Sequence, residues 1–130
     1  MSRDRAIRVA LWLSVVLSAM ALAVFVPMAL GYESTLVPVA LPRHIVAQQA
    51  VGIGLFGIVY AWLARQAVIN RALVAVGGLG KLGYFFTTVA YWLAGDLPAA
   101  MVGNAVLPDL LLGAAFVWWA ATERPAPATG

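Results

Sequence analysis

The stretch Gly77-Gly-Leu-Gly-Lys-Leu-Gly-Tyr-Phe-Phe86 decides how this chain folds. It sets one lysine, Lys81, among four glycines inside a long apolar run. The nearest charges are Arg71 before it and Asp96 after it. A lysine that isolated must be held by something nearby, and the character of the surrounding chain defines what is available.

The surroundings are apolar almost throughout. Of 130 residues, 64% are hydrophobic and 10% are charged. Soluble domains carry roughly 25% charged residues, so a soluble fold of this length would lack the polar residues to cover its surface. The bilayer is the expected solvent. The net charge is +3, but the basic residues are scattered and flank apolar runs. That pattern fits membrane topology and excludes a nucleic-acid partner. Cysteine is absent, so neither a disulfide framework nor thiol chemistry is available.

A spanning helix needs about 20 apolar residues. Four segments qualify, at about residues 7–30, 45–64, 72–94 and 99–121, and together they make one domain over residues 1–122. The connections are short, which makes sequential helices antiparallel neighbours. The expected fold is therefore all-α, a transmembrane antiparallel four-helix bundle. The Pro- and Ala-rich tail, residues 123–130, reads as disordered. Arg3 to Arg8 followed by an apolar run ending Ala-Leu-Gly31 also has the outline of a signal peptide. Its apolar core exceeds the roughly 7–15 residues of a signal h-region, so it reads as a span.

The flanks orient the bundle. With four spans, Arg3, Arg5, Arg8, Arg65, Arg71 and Arg124 fall on one side, and Arg43 alone on the other, beside Glu33 and Asp96. The positive-inside rule places both termini in the cytoplasm of a bacterial inner-membrane protein.

Depth suggests a mate for Lys81. It lies ten residues past Arg71, about 15 Å along the third helix. Asp109 lies ten residues past Ala99 on the returning fourth helix, at about the same height. Each charge alone costs about 2.5–3.5 kcal/mol at the membrane centre, so a buried Lys81–Asp109 pair is expected. Gly77, Gly78, Lys81, Phe85 and Thr88 share one helical stripe, and Ala105, Asp109 and Gly113 another. Small residues on both let the helices approach closely. Pro108 should bend the fourth helix and free a carbonyl near the pair. Tyr60 and Tyr84 could hydrogen-bond to it. Arg43, His44, Gln48 and Gln49 could line an outward-facing polar pocket. Ser14 and Ser18 should bond their own backbone, and Trp92, Trp118 and Trp119 should anchor at the interfaces.

Much chemistry is excluded. Ala75-Val-Gly-Gly-Leu-Gly-Lys-Leu82 has Ala where a phosphate loop needs its first Gly, and Leu where it needs Ser or Thr. One histidine cannot form a bis-histidine haem site. His, Cys and carboxylates are too few for a metal site, and no serine–histidine–acid set shares one depth. No cofactor, metal or catalytic residue is expected. Small multidrug resistance exporters carry a glutamate in their first helix, and residues 7–30 hold no acid.

The Gly77–Phe86 segment, the Leu93-Ala-Gly-Asp-Leu-Pro98 turn, and Asp109 followed by Leu-Leu-Leu-Gly-Ala-Ala-Phe-Val-Trp-Trp119 resemble a group of small bacterial membrane proteins. These are four-helix proteins, DoxX-like in general design. The resemblance covers residues 52–119 and implies fold and membrane location, without carrying over any catalytic residue. Function then divides three ways. The leading reading is a non-enzymatic accessory or interaction module, forming a homo-oligomer or docking on a membrane-complex partner. A proton-coupled carrier of a small solute would use Lys81 and Asp109 as exchangeable charges. A lipid- or quinone-binding accessory of a redox complex is the third.

Overall fold

A computed structural model describes residues 1–123. The expectations for the tail and for Arg124 lie outside these residues, apart from Glu123, which follows the last helix. The described chain is all-helical. Its helices are α1 (Arg3–Ala29), α2 (Arg43–Arg65), α3 (Arg71–Leu93), α4 (Ala99–Ala105) and α5 (Leu112–Thr122). A π-helical turn, Val106–Leu111, joins α4 to α5, so the last three pieces form one broken helix. Four helices, counting that broken one once, are long and apolar enough to cross a membrane.

Local chemistry sets the ends. Ser2 caps α1 by accepting from the Arg5 N–H, and Asn70 caps α3 by accepting from the Leu73 N–H. Each side-chain oxygen satisfies a backbone donor that the first helical turn leaves free. The Ser2 cap places the start of α1 at Arg3, ahead of the apolar run itself. Two glycines close helices at the other end. Gly31 and Gly95 take φ of +104° and +88°, the left-handed region open to glycine. Tyr32 N–H returns to Pro27 O and Gly31 N–H to Met28 O. Asp96 N–H likewise returns to Tyr91 O, and Gly95 N–H to Trp92 O. These paired bonds satisfy carbonyls that the ending helices would otherwise leave open.

The helices associate mainly in sequential pairs. α1 packs most extensively on α2, and α3 on the broken fourth helix; contact between the two pairs is slighter and falls chiefly between α1 and α5. The first pair is tied at both ends. Arg8, near the start of α1, donates to Ala64 O at 2.7 Å and Ala67 O at 3.1 Å, where α2 finishes. Arg43, at the start of α2, donates to Ala29 O at the end of α1. Between these ties Gly57 faces Ser18, where an added Cβ would lie 3.2 Å from the serine Cβ.

The main apolar cluster joins the two pairs at the end where Arg3, Arg8 and Arg71 lie. It contains Leu11, Tyr60, Leu63, Val74, Phe116 and Trp119. Trp119 is thus core, in contrast to the interfacial role expected for it, whereas Trp118 beside it is exposed. Adjacent helical residues point about 100° apart, and only Trp119 falls on the packed face. Ser14 is fully buried and its hydroxyl has no partner, so the expected bond to its own backbone is absent.

Candidate functional site

The buried face of α3 consists of Val74, Gly77, Gly78, Lys81, Phe85 and Thr88. It is the stripe that helical spacing marks out, extended one turn by Val74. Gly78 sits where α3 meets α5. A Cβ there would lie 2.9 Å from Gly113 O, Phe116 Cβ and Val117 Cγ2. Gly113 answers from α5, where a Cβ would lie 3.0 Å from Lys81 Cβ and 3.1 Å from Gly78 O. The two glycines bring the helix backbones together and so fix the root of the Lys81 side chain.

The tip of Lys81 is held by the broken helix. Proline has no N–H, so Pro108 interrupts the regular ladder of the fourth helix. The chain absorbs this in the π-turn. In an α-helix the Leu112 N–H would bond to the carbonyl four residues back, that of Pro108. Here it goes to Leu107 O and Asp109 O instead. Lys81 Nζ donates to the bypassed Pro108 O at 2.9 Å. The same ammonium lies 5.0 Å from the centroid of the Tyr60 ring, a cation–π contact from α2. Tyr60 is held edge-on against Phe116, with ring centroids 5.7 Å apart, and its ring also covers Gly77.

Asp109 lies on the broken fourth helix, as expected, but the structure does not show the expected ion pair with Lys81. No ion pair within 4.0 Å joins it to Lys81; among the described residues the only such pair is Arg3–Glu123, at 3.9 Å. Asp109 is half-buried on the π-turn. Its carboxylate accepts no hydrogen bond among the described residues. Lys81 therefore meets the fourth helix through the carbonyl one residue before the acid. The physical reason is local: the π-turn offers the ammonium an open carbonyl, and a lysine can take its partner from either backbone or carboxylate.

The remaining residues divide clearly. Tyr60 is buried and contributes its ring. Tyr84 is exposed, and neither tyrosine hydroxyl hydrogen-bonds to Lys81 or Asp109. Instead Tyr84 offers its backbone carbonyl to the Thr88 hydroxyl. Arg43, His44 and Gln48 are exposed, Gln49 is half-buried, and only Arg43 of these makes a side-chain hydrogen bond. Asn104, on the same broken helix, bonds Leu36 O at 3.0 Å and ties the 30–42 connection to α4. Among the described residues no group of His, Cys, Asp and Glu could hold a metal ion.

Sequence alone anticipates a carbonyl freed near Lys81 by Pro108 and places Tyr60 beside it, but not that the Pro108 carbonyl is itself the acceptor or that Tyr60 contributes its ring and not its hydroxyl. The Pro-Asp step inside an apolar helix was the available signal for the acceptor. Comparison with protein-family models, with curated proteins and with solved structures finds no match to this chain.

Proposed function

We propose that this chain is an antiparallel four-span bundle of a bacterial inner membrane, with both termini cytoplasmic, and that it acts as a non-enzymatic interaction module. The length and apolar character of the four helices support the membrane setting. The gathering of Arg3, Arg5, Arg8, Arg65 and Arg71 at one end, with Arg43 alone at the other, supports the orientation. A place beside the DoxX-like four-helix proteins rests on the segments that resemble them.

One observation carries the interaction role. Val76, Gly80, Gly83, Thr87 and Ala90 follow three- and four-residue spacing along α3, Ala94 continues the series at its cap, and all are exposed. No atom lies within 4 Å of a Cβ placed at Gly80 or Gly83. The inward glycine, Gly78, is spent on packing α5; the outward pair has no such task within this chain. A small-residue face on the lipid side admits the backbone of another helix, from a membrane partner or from a second copy. A photo-crosslinking benzoylphenylalanine in place of Phe86, on the flank of this face, tests it in native membranes. A protein adduct that disappears in Gly80→Leu is the expected result. Labelling of lipid alone would refute the role.

A second reading has its own support. Asp109 places an acid without a hydrogen-bond or ion-pair partner, among the described residues, in the middle of a span. Intramembrane acids mark ion and proton pathways. A carrier of a small solute would lose pH-dependent uptake in Asp109→Asn while remaining folded; an interaction module would keep its crosslink.

A further inference from the structure

We infer that the groove between α3 and α5 is a binding site for one anionic phospholipid, with the phosphate on Arg71. The inference rests on the membrane reading above. The groove is an open surface hollow lined by Ala72, Ala75 and Leu79 of α3 and by Val117 and Ala121 of α5, with Arg71 at its mouth. The alanines leave a channel where longer side chains would fill the gap between the helices. Its walls are apolar, which suits an acyl chain, and the one charge stands at the end where arginines collect.

Arg71 is prepared for this role. Its Nε donates to Ala120 O on the opposite helix, which holds the guanidinium across the groove mouth. Among the described residues its two terminal nitrogens have no hydrogen-bond partner. A guanidinium presents a planar fork that matches phosphate oxygens two at a time. No carboxylate lies within 4.0 Å of Arg71 among the described residues, and Glu123 at this end lies beside Arg3. Arg8 is committed to carbonyls at the end of α2. Basic pockets between membrane helices on the cytoplasmic side suit anionic headgroups, and here an apolar channel continues from the charge into the hydrocarbon.

Native mass spectrometry of the purified full chain in a non-ionic detergent tests the site. The probes are dioleoylphosphatidylglycerol, dioleoylphosphatidylcholine and inorganic phosphate, each titrated separately. The wild-type chain retains phosphatidylglycerol in preference to phosphatidylcholine. Arg71→Gln weakens phosphatidylglycerol binding about fivefold, the effect of one basic side chain at a membrane surface. Ala75→Phe, which keeps Arg71 and fills the channel, weakens it to a similar degree. Arg65→Gln, at the same end but outside the groove, leaves it unchanged. Wild-type affinity in either groove variant, equal loss in Arg65→Gln, or full displacement by inorganic phosphate overturns the site. Alkaline carbonate extraction of native membranes separates the two claims. Release of the chain sinks the membrane reading itself, whereas retention without phosphatidylglycerol preference sinks only the lipid site.

Discussion

Replacing Gly78 by alanine is the sharpest probe of how α3 and the fourth helix meet. The new methyl group would stand 2.9 Å from three atoms, Gly113 O, Phe116 Cβ and Val117 Cγ2. Two of these cannot yield by turning a side chain, since one is backbone and the other is the first atom of a fully buried Phe116. Only the valine methyl can rotate away. Relief therefore requires the helices to separate, and overpacking of this kind costs about 1–3 kcal/mol. An opposing effect must be removed before that cost can be read. Alanine is favoured over glycine inside a helix by about 1 kcal/mol. Gly83→Ala supplies the correction, because it lies on the same helix and its Cβ would meet nothing within 4 Å. The propensity gain cancels in the difference between the two variants. Gly78→Ala should be less stable than Gly83→Ala by about 1–3 kcal/mol, in the upper half of that span because the contacts are stiff. Reversible unfolding in mixed detergent–SDS micelles, followed by tryptophan fluorescence, measures this difference. Equal stability of the two variants would show that the backbones do not approach at Gly78 and Gly113, and the geometry around Lys81 would fall with it.

Three further outcomes follow from named contacts. Lys81→Met keeps an unbranched stem one atom shorter and abandons the Pro108 carbonyl; an acceptor left unsatisfied in a part-buried site costs about 1–3 kcal/mol, and the same micelle unfolding should register it, with Lys81→Arg closer to wild type. Arg8→Gln removes the donors to Ala64 O and Ala67 O, so amide exchange over residues 60–68 should quicken while exchange across α3 stays unchanged. Asn104→Leu releases Leu36 O, and limited proteolysis should cut the 30–42 connection faster without lowering the stability of the helices.

The sequence announced the helices far better than their partners. Apolar length marks a span directly, and the Leu93-Ala-Gly-Asp-Leu-Pro98 turn marks where the third helix closes. The inward stripe of α3 was legible because glycines and a lysine interrupt a run of large apolar residues at helical spacing. Trp118 and Trp119 were not separable, since the last helix is apolar on both faces and hydropathy there does not tell inside from outside. The acceptor of Lys81 was hidden for another reason. Depth places Lys81 and Asp109 at one height, but the π-turn changes which carbonyl faces α3, and that turn depends on how the chain accommodates Pro108. The same limit applies to Tyr60, whose ring reaches Lys81 only because Gly77 leaves space beneath it.

The slight contact between the two helix pairs has a consequence for biogenesis. Most close backbone approaches lie within a pair, residues 66–70 are the seam between the pairs, and the main apolar cluster bridges that seam. On the membrane reading proposed above, a nascent chain organised this way can hand its first hairpin to the bilayer before the second has left the ribosome. Halves severed at that seam and made from separate messages should find each other again through the Leu11, Tyr60 and Phe116 cluster.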